Sequence, residues 1–278
     1  MPYGRRYDKW DSYTWSQNVL PYIEQGNVYK GYTTLQQTGW SAAYPSPNGP
    51  AGNDANMRAS RHTVMSVFLC PSDNGPMQNE TTTTDWGFIR GNYRGCTSTG
   101  DMYGASTDAT TGPWGLGVFG VLANQSDDPG ATPKSRGARF AQITDGTSNT
   151  LVFSEGIVPI VSGWGGPIGS IIYGNMGGAL FTASLTPNST SPDQVIGPFP
   201  STQGDATYPT GTCTSIGGNS AGTQSAVGAQ VAARSRHTGG VNASMADGTV
   251  RFFSNGTTQA VWRALGTRAG GESNTNAD

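Results

Sequence analysis

The dipeptide Asp247-Gly248 constrains this chain more than any other feature. It stands between Val241-Asn242-Ala243-Ser244-Met245-Ala246 and Thr249-Val250-Arg251-Phe252-Phe253-Ser254, two runs of strand character. Asp-Gly in that setting predicts a two-residue type I′ hairpin over 240–254, because both turn residues then need φ > 0. The turn would pair Ala246 with Thr249, Met245 with Val250, Ser244 with Arg251 and Ala243 with Phe252. Val241, Ala243, Met245, Val250 and Phe252 would share an apolar face, and Ser244 and Arg251 would lie opposite. Such a hairpin is half-buried, so the chain must place something over one side of a sheet. Thr257 or Thr258 can cap a following helix that carries Val261, Trp262 and Leu265 and stops at Gly266. The tail 270–278 is expected to be disordered.

The N-terminal end reads as helical over 8–30. Trp10, Tyr13, Val19, Leu20, Ile23 and Val28 recur at mixed three- and four-residue spacings. Pro21 should kink this helix and Gly26 should weaken it. Strands are expected at 64–69, stopped by Cys70-Pro71-Ser72-Asp73, at 88–96, at 115–122 and from Leu151 onward. A short helix is expected at 136–143, followed by a turn at Asp145-Gly146. The stretch 159–225 is full of Gly, Pro, Ser and Thr and is too long for an ordinary connection. It reads as a surface insertion that could hold small strands of its own.

Composition decides which classes of partner to exclude. The chain holds 16 basic and 18 acidic residues, and its lysines are Lys9, Lys30 and Lys134. Nucleic acid needs a basic stripe, which this balance does not supply. With 41 Gly and 17 Pro in 278 residues, the chain is loop-rich, and a surface kept soluble by neutral polar groups is of an extracellular type. No run reaches the roughly 18 apolar residues of a membrane span, and no signal peptide follows Met1. The chain is therefore either cytosolic or lacks its export segment as given. Cys70, Cys96 and Cys213 fit no zinc spacing. A Cys70–Cys96 disulfide would close a short loop in an oxidising compartment, and three buried thiols are the alternative.

No credible catalytic site emerges. Gly218-Asn219-Ser220-Ala221-Gly222 has the G-x-S-x-G form of a nucleophile elbow. That chemistry needs a strand before the serine, a helix after it, then an acid and a His in order. The histidines are His62 and His237, and neither lies beyond a suitable acid. His237 with Asp247 is too small a set for a metal, and the turn alone explains Asp247. His237 more naturally anchors the start of the hairpin, and His62 has no evident partner set. Asp145-Gly146-Thr147-Ser148-Asn149 with Glu155 faintly resembles a calcium loop, but Thr150 stands where the glycine should be. Five N-x-S/T sites, at Asn79, Asn124, Asn188, Asn242 and Asn255, are close to chance in so polar a chain.

Several segments together resemble one family. Trp15-Ser16-Gln17-Asn18-Val19-Leu20-Pro21-Tyr22-Ile23-Glu24-Gln25 is similar to a W-x₃-L-L-P-Y-x-E-Q signature, and Phe68-Leu69-Cys70-Pro71-Ser72-Asp73 to F-x-C-P-S-D. Asn92-Tyr93, 143–150 and His237 followed by Asp247-Gly248, an H-x₉-DG spacing, match in order. The family is the large bacterial set of prepilin-type proteins of unknown function, which carry a pilin N-terminal cleavage and methylation segment. The resemblance implies an α+β fold over a single domain, 1–278. This would be a pilin-like head with an N-terminal helix packed on an antiparallel sheet, and with long Gly/Ser/Thr-rich loops. The apolar membrane helix of that family is not in this chain, and 8–30 would be its head-associated continuation. The resemblance further implies a structural protein of an extracellular or cell-surface filament or pseudopilus, whose partners are copies of itself. It implies no cofactor and no catalytic residue. The other reading is an extracellular glycan- or ligand-binding module, with Trp114, Trp164 and Tyr173 as stacking residues.

Overall fold

The structure is a computed structural model that describes residues 1–2, 4, 14–32, 55–73, 78–79, 88–97, 116–120, 137–158, 169, 178–195, 213–215 and 230–272. It begins with α1 (Trp15–Val19), a 3₁₀ turn at Leu20–Tyr22, and α2 (Gly26–Gly31). Thr14 and Gln17 form a capping box that starts α1: the Thr14 N–H donates to Gln17 Oε1 at 2.8 Å, and the Ser16 N–H donates to Thr14 Oγ1 at 3.2 Å. Pro21 tightens the end of α1 into the 3₁₀ turn, and Glu24 at φ 62° separates that turn from α2. The helix expected over 8–30 is thus several short pieces, with 8–13 outside the described residues.

Next comes α3 (Ala55–Arg61), which packs on α2 at Gly31. The strand expected at 64–69 is instead a 3₁₀ turn, Ser66–Phe68. Strands β1 (Gln78–Asn79) and β2 (Phe88–Ile89) pair with each other. The strand expected at 88–96 is interrupted after Ile89 and resumes as β3 (Tyr93–Cys96). Within the expected strand at 115–122, residues 116–120 form a turn whose Gly117 and Phe119 N–H groups donate to Thr97 O and Cys96 O. A 3₁₀ turn, Phe140–Gln142, stands for the helix expected at 136–143. Then follow β4 (Leu151–Glu155), β5 (Leu180–Phe181), β6 (Asp193–Val195), β7 (Cys213–Ser215), β8 (Gly240–Met245), β9 (Val250–Ser254) and α4 (Gln259–Gly266).

The fold is α+β. Its main sheet runs β5-β3-β4-β8-β9, antiparallel except that β5 lies parallel to β3. The sheet is therefore mixed, which corrects the all-antiparallel expectation. β6 and β7 form a separate parallel pair. The parallel strand β5 comes from the stretch read as a surface insertion. Ala179, Leu180, Phe181 and Ala183 are buried there, so part of 159–225 belongs to the core.

Two layers cover the sheet. On one face, Trp262 and Leu265 of α4 pack with Cys96, Leu151, Phe181, Val241, Ala243, Met245 and Phe253. On the other face, the Trp15 ring lies 4.6 Å from that of Phe153 and 5.8 Å from that of Phe68, between centroids, and its Nε1–H donates to Ala179 O at 2.7 Å. Gly95 leaves the room for Trp15, since a Cβ there would run into Phe119 and Trp15. Leu151 and Phe153 would share a face in a regular strand. A register shift between them sends Leu151 to the α4 side and Phe153 to the Trp15 side.

The hairpin forms where expected but one residue out of the expected register. Val241 pairs with Phe253, Asn242 with Phe252, Ala243 with Arg251 and Ser244 with Val250. The Met245 N–H donates to Thr249 O at 2.8 Å, and the Gly248 N–H to Met245 O at 3.0 Å. The loop is thus three residues, Ala246-Asp247-Gly248, with positive φ (88°) at Gly248 and not at Asp247. This is the type I turn closed by a glycine in the left-handed region, the other turn that Asp-Gly serves. The shift buries Phe253 against Trp262, ring centroids 5.2 Å apart, and leaves it 3% exposed. Val250 and Phe252 stay 68% and 53% exposed on the Trp15 side of an edge strand. At the C-terminal tail, residues 270–272 are described, and the Gly270 and Gly271 N–H groups donate to the Asp145 carboxylate at 2.7 and 3.0 Å. Residues 273–278 lie outside the described set.

Candidate functional site

Residues far apart in sequence converge at the end of β4 on the Trp15 side of the sheet. Asn92, just before β3, is the buried hub. Its Oδ1 accepts from the Cys70 N–H at 2.8 Å, and its Nδ2 donates to Gly156 O at 2.9 Å and Asp73 Oδ2 at 2.6 Å. Its own N–H donates to Phe68 O at 2.8 Å. A short amide side chain can bind a backbone donor and two acceptors at once, so one residue locks the 68–73 turn to the sheet. Asp73 extends the lock. Its Oδ2 also accepts from the Val158 N–H at 2.8 Å, and its Oδ1 accepts from Arg236 Nε at 2.7 Å.

Beside this network lie Cys70, Glu155 and His237. His237 Nε2 is 3.0 Å from Glu155 Oε1 and 3.8 Å from Cys70 Sγ. The other oxygen of Glu155 accepts from the Asn242 N–H at 2.8 Å, and Asn242 Nδ2 donates to Oε1 at 3.2 Å. The His237 N–H donates to Ser235 Oγ at 3.1 Å, and that hydroxyl donates to Gly240 O at 2.6 Å. His237 therefore anchors the start of the hairpin, and Glu155 is the group it anchors to. One sulfur, one imidazole nitrogen and one carboxylate oxygen lie within 4.8 Å of one another, a set able to hold a metal ion. Tyr93 is half-buried nearby. Burial first, then the acidic groups of Cys70 and Glu155, push its phenol above the ordinary tyrosine range.

The arrangement does not make a nucleophilic relay. A base that activates a thiol faces the nucleophile with one ring nitrogen and its orienting acid with the other. Here Nε2 faces both Cys70 and Glu155.

The other residues singled out in the sequence lie apart from the cluster. The structure does not join Cys70 to Cys96, the pair expected to form a disulfide, because their sulfurs point to opposite faces of the sheet. Cys96 Sγ faces Gly266 O at 3.8 Å on the α4 side, whereas Cys70 faces His237. Asp247 is exposed at the far turn of the hairpin, where its Oδ1 accepts from the Thr249 N–H and hydroxyl at 2.9 and 2.7 Å. Gly248 completes that turn, so Asp247 and Gly248 shape the hairpin while His237 belongs to the cluster. Asp145 accepts from Gly270 and Gly271, and Glu155 sits at the opposite end of β4, so the residues of the calcium-like pattern do not converge. His62 follows α3. Ser220, Trp114, Trp164 and Tyr173 lie outside the described residues, as does the side chain of Cys213. A cleft between α2 and α3, lined by Asn27, Lys30, Asn56 and Thr63, holds none of the cluster residues.

Two features escaped the sequence reading. In the sequence Glu155 stands with the calcium-like pattern, whereas in the structure it meets His237, which follows it by 82 residues. Arg234 and Asp193 form a fully buried ion pair at 2.8 Å that ties the start of β6 to the segment before β8. The available signal was the joint presence of Cys70, Asp73, Asn92, Tyr93 and His237 among the segments of one resemblance.

Among the described residues no helix is long and apolar enough to cross a membrane. No curated protein and no solved structure matches the chain. Residues 1–259 match the family described as "Protein of unknown function (DUF1559)". That match covers every residue of the cluster and most of the chain, and the protein belongs to this family.

Proposed function

We propose that the protein is a structural and interaction protein, a pilin-like subunit of an extracellular or cell-surface filament or secretion-type pseudopilus. The observation that carries this reading is the seat of Trp15. A capped N-terminal helical segment delivers one large ring onto the sheet, against Phe68, Phe119 and Phe153. That is how a head domain would dock the continuation of a filament-forming helix. The motif residues Cys70, Asp73, Asn92 and His237 support it as well, because their hydrogen bonds tie the 68–73 turn, β3, β4 and the start of the hairpin together. The head would act through its surface and its contacts with further copies, not through catalysis.

The test is made on the native gene product in its own cells. Mass spectrometry of the intact protein reads whether about 20 apolar residues precede Met1. Antibody labelling in electron micrographs then reads whether the protein lies along filaments. Labelled filaments support the proposal. A native product without the apolar segment, found only as dispersed monomer, overturns it.

A further inference from the structure

We propose that Cys70, Glu155 and His237 form a binding site for a single borderline-soft divalent cation, with zinc the metal that fits the donors best. The inference stands apart from the pilin-like reading and rests on geometry. Thiolate, imidazole and carboxylate are the three side chains that zinc takes. Bonds of about 2.0–2.3 Å at tetrahedral angles place ligand atoms roughly 3.3–3.6 Å apart. The observed separations are 3.0 Å from nitrogen to oxygen and 3.8 Å from nitrogen to sulfur, with all three atoms inside 4.8 Å. Small side-chain rotations bring them onto one ion.

The crowding at Nε2 points the same way. A ring nitrogen carries either one proton or one lone pair, yet two acidic groups converge on it. A cation in the middle satisfies all three at once. The ligands are also held from behind. Asn242 fixes the free oxygen of Glu155, Asn92 holds the Cys70 backbone, and Ser235 holds that of His237. The His237 side chain is 29% exposed, which gives the ion a route in and leaves room for water as fourth ligand.

The experiment uses the full chain, stripped with a chelator and titrated with Co²⁺ and then Zn²⁺. The expected result is one equivalent of Co²⁺ with a tetrahedral visible spectrum and a thiolate charge-transfer band, displaced by Zn²⁺. Zinc should also slow alkylation of Cys70, mapped by mass spectrometry, by tenfold or more. Cys70→Ser and His237→Gln should each abolish the band, whereas Cys96→Ser should keep it, because Cys96 faces the opposite side of the sheet. The alkylation readout needs no variant, so a variant that fails to fold does not rescue the idea. An unchanged Cys70 alkylation rate, no cobalt–thiolate band, or a band that survives Cys70→Ser overturns the site.

Discussion

Replacing Arg234 with Met should destabilise the protein strongly. The side chains of Arg234 and Asp193 are both fully buried, and the guanidinium meets the carboxylate twice, Nε to Oδ2 at 3.0 Å and Nη2 to Oδ1 at 2.8 Å. Nη1 and Nη2 also donate to Ser189 O and Ser191 O at 2.7 and 3.1 Å, and Asp193 Oδ1 accepts from the Ala232 N–H at 3.0 Å. Arg234→Met leaves a buried carboxylate without its countercharge and removes the donors to two carbonyls. Breaking such a pair from one side costs about 3–5 kcal/mol. With a urea m-value of about 2–3 kcal/mol/M, the unfolding midpoint should fall by roughly 1–2 M. The double variant Arg234→Met/Asp193→Leu should recover part of the loss, because the stranded charge goes with its partner. It should not recover all of it, because the buried Ala232 N–H loses its acceptor, at about 1–3 kcal/mol. Urea unfolding of the four proteins closes the cycle. A loss below about 1 kcal/mol in Arg234→Met, or strict additivity in the double variant, refutes the argument that burial makes this pair strong.

Trp15→Ala should cost about 3–5 kcal/mol in the same assay, since it empties the space between Phe68, Phe119 and Phe153 and leaves Ala179 O without its indole donor. Gly31→Ala should cost about 1–3 kcal/mol by forcing α2 from α3, because the new Cβ collides with the Asn56 carbonyl and with Ser60, whose hydroxyl donates to Val28 O at 2.8 Å. Phe252→Lys should change stability by less than about 0.5 kcal/mol despite its position in a strand, because the ring is half exposed. The Asp247 carboxyl is held below the ordinary aspartate range by the Thr249 N–H and hydroxyl. A lowered folded pKa makes its contribution complete above the ordinary aspartate value and lost as pH falls through the lowered one. Carboxyl NMR should show Asp247 titrating low, and Thr249→Val should move it upward.

The sequence made the hairpin legible but not its register. Asp-Gly serves both a two-residue and a three-residue loop, and Phe252 and Phe253 are adjacent, so either pairing puts an aromatic ring on the apolar face. Only the position of α4, whose Trp262 takes Phe253, decides between them. β5 was hidden for a different reason. Two residues, Leu180-Phe181, inside a glycine-rich run carry no periodicity, and their strand character comes from the partners they find on β3. At the cluster, the types of Cys70, Asp73, Asn92 and His237 could be read in advance, and their meeting place could not. The missing member, Glu155, reaches His237 only because β4 lies between β3 and β8.

That strand order also sets a timetable for folding. β4 needs β3 from before it and β8 from well after it, and the Glu155 carboxylate closes on Asn242 across 87 residues. Until Gly240–Met245 has left the ribosome, β4 lacks one neighbour, and α4, which follows in the chain, is not there to cover the sheet. Leu151 and Phe181 therefore stay unprotected on one side until that hairpin arrives, and the sheet condenses around it.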